Sequence, residues 1–525
     1  QGLEDIFVLK LSPQREFIWV STIGGANGEP NVSDIGVDSS GNVVITGSFE
    51  GTVDFDPGVG VMARTSSGNS DIFVIKLGSD GALAWAVTTG SAVDDDGAYG
   101  VVLDSIGNIY VVGDYMGTVD FDPGNGSAEL SSLTFLAAYV WKLDSSGNLV
   151  WIKGTGGASE NTYGEDIVLD GDGNLNVLGG FNGTEDLDPG AGTAMLTSPN
   201  GNSTFIQKLD SSGEFIWARA LSGDDRVDGY GIAASMAGDV YVTGRFTATA
   251  DFDPGVGVTA LTSEASYSAF LCKLNTSGEF VWSRGLTGVG RSRAWEVDVD
   301  GFGNVLVAGV FEDTVDFDAG VAEELRTSAG ARDIFVVSYD SVGDFAWVYT
   351  AGGESVDDAN SMALDESSAV YVTGSFEGAV DFSTAKGEDG TSSVGDSDVF
   401  ILKLSPEDNG VLPDVTAVTP EDVGPTHADS ISFDVIFNES VQGFDEASDL
   451  IVTHSGTAHT GVTITGGPAH YTVSVDGITG DGSFTLAVNA ATDIADNTGN
   501  PLSSGLTSVP VVIDNTPPTA TIGAP

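Results

Sequence analysis

Pairs of carboxylates one residue apart recur along this chain: Asp54 and Asp56, Asp120 and Asp122, Asp186 and Asp188, Asp251 and Asp253, Asp316 and Asp318. A phenylalanine or leucine separates each pair, and Pro-Gly follows the first four. A worn copy stands at Asp381-Phe382-Ser383. Two chemistries suit such a loop. Paired carboxylates followed by glycine can wrap Ca²⁺ together with backbone oxygens, as hard-cation loops do. Alternatively, each aspartate caps a turn whose proline fixes φ, while the central apolar residue tucks under a neighbouring element. The metal reading predicts that the copy with Ser383 loses its ion first. A second acidic group, Asp493 and Asp496 with Asn497 and Asn500, crowds one loop near the C-terminus and is a further Ca²⁺ candidate.

Other charged residues break the regularity. Asp94-Asp95-Asp96, Asp224-Asp225 with Asp228, and Asp357-Asp358 precede apolar runs and would share one rim. Arg291, Arg293 and Trp295 occupy the corresponding loop of another repeat, the one basic and aromatic exception there, and are candidates for contact with a partner. The four histidines all lie between His427 and His470 and are scattered, so imidazole chemistry is excluded from the first four hundred residues. Carboxylates alone could still form a glycosidase pair. The most regular ones recur as scaffold features do, whereas a catalytic site should break the symmetry in one or two repeats.

The elements that would position these groups repeat with a period of 65 or 66 residues. A tryptophan keeps the beat at Trp19, Trp85, Trp151, Trp217, Trp282 and Trp347. One unit reads as four β-runs with tight turns. Val101-Val102-Leu103 and Ile109-Tyr110-Val111-Val112 flank Asp104-Ser105-Ile106-Gly107-Asn108, and Tyr139-Val140-Trp141-Lys142-Leu143 and Leu149-Val150-Trp151-Ile152 flank Asp144-Ser145-Ser146-Gly147-Asn148. Such a four-stranded antiparallel meander buries both faces when copies stack radially, which predicts an all-β chain with a β-propeller over 1–409. Third-strand copies number seven, beginning at Asp5, Asp71, Ala138, Thr204, Ala269, Asp333 and Asp398. Tryptophan strands number six. The count favours six blades, with the N-terminal pair 5–20 completing the blade begun by 360–376 and one third strand left over. Seven blades become possible if residues precede Gln1.

The phrase Asp38-Ser39-Ser40-Gly41-Asn42 with Ile45-Thr46-Gly47, and then Lys208-Leu209-Asp210-Ser211-Ser212-Gly213, resembles the bacterial SBBP-type β-propeller repeat. The resemblance spans roughly the first four-fifths of the chain and implies a secreted or cell-surface bacterial protein. Residues 410–513 alternate in short strands such as Ser430–Phe437 and Tyr471–Val475, and fit a small β-sandwich. Phe437-Asn438-Glu439-Ser440-Val441 and Asp493-Ile494-Ala495-Asp496-Asn497 resemble tandem bacterial Ig-like domains. Residues 514–525 then read as a linker and the start of a further such domain, so the native polypeptide is expected to continue.

Composition narrows the partners. Seventy-seven acidic against 18 basic residues give a formal charge of −59, and no Lys or Arg follows Lys403. Nucleic acid and anionic membranes need basic patches and are excluded as partners. No apolar run is long enough to span a bilayer. The lone Cys272 takes a position held by Val8, Val74 and Val336 in sibling strands and reads as a small buried hydrophobe. The expected function is a non-enzymatic extracellular structural or adhesive protein that contacts copies of itself, other surface proteins or glycans. It could form a fibre or layer through the surplus strand. The rival is a secreted polysaccharide-binding or polysaccharide-cleaving protein using rim carboxylates.

Overall fold

The computed structural model describes residues 5–13, 15–92, 94–301, 303–320, 322–365, 368–382, 390–404, 413–421, 423–424, 426–437, 441–467, 469–492, 494–496 and 502–516. The chain divides into two compact units, Gln1–Glu366 with Tyr371–Leu402, and Ser367–Val370 with Lys403–Pro525.

The first unit is a succession of antiparallel sheets. Gly97–Leu103, Ile109–Asp120, Glu129–Leu143 and Leu149–Thr155 form one four-stranded meander in sequence order. The same order recurs in Thr162–Leu169, Leu175–Phe181, Ser203–Leu209 and Phe215–Gly223, then in Val227–Ala234, Val240–Phe246, Ser268–Leu274 and Phe280–Leu286. It returns in Ser292–Val299, Val305–Phe311, Asp333–Tyr339 and Phe345–Ala351. Before these stands a five-stranded sheet, Ile6–Leu11, Phe17–Val37, Val43–Asp54, Ala63–Leu77 and Leu83–Thr89. After them comes a three-stranded one, Asp357–Leu364, Val370–Asp381 and Gly390–Leu404.

Local chemistry makes the hairpins. Gly41 sits at φ +75°, where a side chain would be strained. Asp38 Oδ1 accepts from Ser40 N at 2.9 Å and Asn42 N at 3.0 Å, closing the turn. Lys76 Nζ lies 2.9 Å from Asp38 Oδ2, and the same lysine–aspartate pair recurs as Lys208–Asp170 at 2.7 Å and Lys273–Asp239 at 3.0 Å. Partial burial would raise Asp38, but the bonds from Asn42 and Lys76 outweigh it and hold its carboxyl well below the usual range.

Successive sheets pack face on face. Ile72 and Val74 of the five-stranded sheet share one core with Val101, Val111, Tyr139 and Trp141 of the next. The recurring tryptophan joins neighbours by a second device. Trp85, Trp217 and Trp282 each donate the indole N–H to a turn carbonyl of the following sheet, on Ser145 (3.3 Å), Thr276 (3.1 Å) and Ser341 (3.4 Å), and Trp19 makes the equivalent bond to Ser79 O (3.0 Å) within its own five-stranded sheet. Trp151 Nε1 is buried with no acceptor among the described residues.

Among the described residues, the expected pairing of the N-terminal strands with the last sheet is not made. Ile6–Leu11 pairs with Phe17–Val37 instead, and the latter runs on to pair with Val43–Asp54. A tight turn, with Arg15 N donating to Ser12 O at 2.8 Å, favours this local hairpin over a pairing hundreds of residues away. Among the described residues, Gly390–Leu404 has Val370–Asp381 on one edge and no strand on the other.

The second unit holds a four-stranded sheet in the order Val415–Pro420, Ser430–Phe437, His470–Asp476, Gly461–Gly466. A three-stranded sheet comprises Leu450–Ala458, Thr479–Val488 and Val511–Ile513. Both contribute to one apolar core containing Phe433, Val473, Val475, Phe484, Leu486 and Val511. The period-two alternation read in Ser430–Phe437 is the pattern of a strand with one buried face.

Candidate functional site

The Asp-x-Asp loops are built as turns. Asp54 Oδ1 accepts from Asp56 N at 3.1 Å and Met62 N at 2.7 Å, while Asp56 Oδ1 accepts from Gly58 N at 2.8 Å. Asp120 holds Asp122 N and Ala128 N, Asp186 holds Asp188 N and Ala194 N, and Asp251 holds Asp253 N and Thr259 N. Asp316 holds Asp318 N and Glu324 N in the same way. The second aspartates Asp122, Asp188, Asp253 and Asp318 each accept from a glycine N–H two residues on. Phe55, Phe121, Leu187, Phe252 and Phe317 between them are fully buried. These backbone bonds to Oδ1 are those of the turn reading. Among the described residues no group of three or more His, Cys, Asp or Glu is placed to hold a metal ion. Asp496 lies in the short strand Ala495–Asp496, whereas Asp493, Asn497, Asn500 and Ser383 fall outside the described residues.

The residues that break the symmetry lie elsewhere, on the strand that opens the first hairpin of each repeat. These strands pack against one another in succession through the unit. Five of them carry a register shift at the same place: Val32/Asp34, Ala98/Gly100, Gly164/Asp166, Gly229/Gly231 and Ala294/Glu296. A β-bulge inserts a residue and re-aims its side chain. The inserted residues are Ser33, Tyr99, Glu165, Tyr230 and Trp295, four different side chains on five sheets. Trp295 and Arg293 therefore sit on the strand Ser292–Val299, not in a loop as the sequence suggested, with Arg291 just before it.

One side of this mouth is cationic and aromatic. The Arg293 guanidinium lies 4.7 Å from the Trp295 ring, 5.3 Å from Tyr267 and 5.9 Å from Tyr230. Tyr230 and Trp295 rings meet at 4.8 Å. Arg245 also stacks on Tyr230 and Tyr267 and donates to Asp228 Oδ2 at 3.0 Å. Arg291 lies over Tyr267 and pairs with Glu312. Asn202 Nδ2 donates to Asp228 Oδ1 at 2.9 Å and to the Tyr163 hydroxyl at 2.6 Å.

The other side is carboxylic. The Tyr99 hydroxyl lies 3.4 Å from buried Asp114 Oδ1. Burial, then the neighbouring Asp96 charge, pushes Asp114 up to about 7. Burial and the charges of Asp114 and Asp228 push Glu165 up to about 8. One residue beyond the bulge, Asp34 and Asp166 cap the next sheet's first strand, with Asp34 Oδ2 accepting from Val101 N at 2.7 Å and Asp166 Oδ2 from Ile232 N at 2.9 Å. Burial pushes them up to about 6 and about 7, and the Asp34 charge adds to the rise of Asp166. Glu296 is raised by burial and by Asp166 and Asp34, so carboxylates from three non-consecutive sheets converge on one centre.

No family model matches the chain. It is similar to an uncharacterized WD repeat-containing protein of Acanthamoeba polyphaga mimivirus, 24% identical over 71% of this chain and 31% of that protein. It is also similar to the regulatory protein FlaEY of Caulobacter vibrioides, 24% identical over 39% of this chain and 20% of that protein. The low-identity repeat match and the run of four-stranded sheets fit a β-propeller-like repeat protein. The chain spans less than a third of either relative's length.

Within this β-propeller-like unit, Cys272 is fully buried with its thiol near Phe252 O at 3.6 Å, and burial pushes the thiol up. In the second unit, two histidines expected to be scattered meet: His454 Nε2 and His459 Nδ1 lie 2.7 Å apart with rings stacked at 4.8 Å. Burial and the His459 charge lower His454. No helix among the described residues is long and apolar enough to cross a membrane.

Proposed function

We propose that this protein is a non-enzymatic structural or adhesive component of a bacterial cell surface or secreted layer, joined end to end through the two terminal faces of its sheet run. In this reading the first unit is a run of six β-propeller blades, with a surplus third strand, left open between the first blade and the last, and the second is an Ig-like spacer. The observation that supports it is the match between the two faces. Val399 and Ile401 on the last sheet are 66% and 53% exposed, while their counterparts Ile72 and Val74 are wholly buried against the following sheet. Phe7 and Ile35 on the first sheet are 54% and 53% exposed, while the counterparts of Ile35, Val101 and Val297, are buried against the preceding sheet. What one end lacks is what the other presents.

The two end strands are near copies as well: Asp5-Ile6-Phe7-Val8-Leu9-Lys10-Leu11 and Asp398-Val399-Phe400-Ile401-Leu402-Lys403-Leu404. A head-to-tail contact of this kind is heterologous, so it builds closed rings or open filaments. Light scattering and negative-stain imaging over a concentration series test it. Concentration-dependent oligomers are expected, and V399K/I401K or F7K alone should abolish them. A protein that remains monomeric throughout the series overturns the assembly reading.

A further inference from the structure

The net charge of −59 makes a cation without a carboxylate partner conspicuous. Arg226 and Arg245 share Asp228, Arg291 holds Glu312, and Arg332 holds Asp358 at 2.7 Å. Arg293 differs. Its guanidinium is packed among three aromatic rings, its Nε is buried, and among the described residues it forms no hydrogen bond or ion pair. Aromatic faces hold a guanidinium in place through its own plane while leaving its N–H edge free for a planar anion. Asn202, joined to the same aromatic group through Asp228 and Arg245, has a buried Oδ1 with no partner.

We propose that this mouth binds a carboxylate-bearing saccharide, with Arg293 pairing the sugar carboxylate and Glu165, Asp114 and Asn202 meeting its hydroxyls. Tyr230 and Trp295 supply the apolar wall against which the ring lies. The chemistry favours a sugar over an acidic peptide because the carboxylic side offers hydrogen-bonding groups suited to several adjacent hydroxyls, which a peptide side chain does not present. Burial raises Glu165 and Asp114 above the ordinary carboxylate range, which weakens their repulsion of that carboxylate. The site does not rest on end-to-end assembly: a monomer that binds the sugar leaves it standing.

The test is calorimetric titration of the full chain with an oligogalacturonate and with the same oligomer fully methyl-esterified. Binding of the acid form is expected, weakened roughly tenfold or more by esterification and by R293Q, the range for a hydrogen-bonded charge. R326Q, which removes an arginine paired with Glu324 outside the mouth, should leave affinity unchanged. A readout independent of any variant is phenylglyoxal labelling, in which the oligouronate should protect Arg293 from modification. Equal affinity for acid and ester, no binding of either, or unprotected Arg293 overturns the proposal.

Discussion

At the scale of single residues, the Asp-x-Asp pairs were legible in the sequence because their spacing is rigid, and the choice between cation and turn was not. What the structure adds is where one oxygen points: Asp54 Oδ1 receives two backbone N–H groups, from Asp56 and Met62. Asp54→Ala strands both donors and should cost about 1–3 kcal/mol in chemical denaturation, whereas Asp54→Asn, which retains an acceptor, should cost under half of that. Removing divalent cations should reproduce neither loss. If a chelator lowers the wild-type midpoint as far as Asp54→Ala does, the loop is holding a metal. Arg293 and Trp295 were visible as exceptions in composition, but nothing in their spacing showed that Tyr230 and Tyr267, from the preceding repeat, close around them.

At the scale of elements, the strands themselves were readable from turn residues and alternation. The bulges were not, since an inserted residue leaves the apolar pattern on either side intact. A signal was nonetheless present: the position two before Ile35, Val101, Ile167, Ile232 and Val297 reads Ser33, Tyr99, Glu165, Tyr230, Trp295, a column without consensus among columns that have one. Variability inside a regular repeat marked the site better than regularity did. The tryptophan beat was equally visible, yet its purpose emerges only from the indole bond to the next sheet. This yields a paired expectation. Trp217→Phe removes the bond to Thr276 O and should cost about 1 kcal/mol beyond its lost packing. Trp151→Phe removes an N–H that has no acceptor, so its thermal midpoint should shift less than that of Trp217→Phe, or rise.

At the scale of the whole molecule, the raised carboxyls set a pH response. Asp34 at about 6, Asp166 and Asp114 at about 7, and Glu165 at about 8 all exceed their unfolded values. Each therefore contributes stability that is fully present in acid and is lost as pH rises through its folded value. Asp38 and Asp170, held low, act in the opposite sense and lose their contribution as pH falls below the ordinary carboxylate range. Melting temperature should rise from pH 8 toward about 5 and fall below about 4. D34N and D166N together should flatten the first slope without moving the second, and a melting temperature that is level from pH 8 to 5 would contradict the assignment. Repetition was legible at this scale from end to end. The fate of the N-terminal strands was not, because two near-identical sequences compete for one role and sequence carries no preference between a nearby partner and a distant one.

The indole bonds running from sheet to sheet have a mechanical meaning. Three of them, from Trp85, Trp217 and Trp282, couple a sheet to its successor, so tension applied between the ends of the unit loads one junction after another. Stretched in a force instrument, the unit should yield in a sawtooth whose steps each release one 65-residue repeat, roughly 200 Å of chain. The junction after the sheet bearing Trp151, which lacks the bond, should give way at the lowest force.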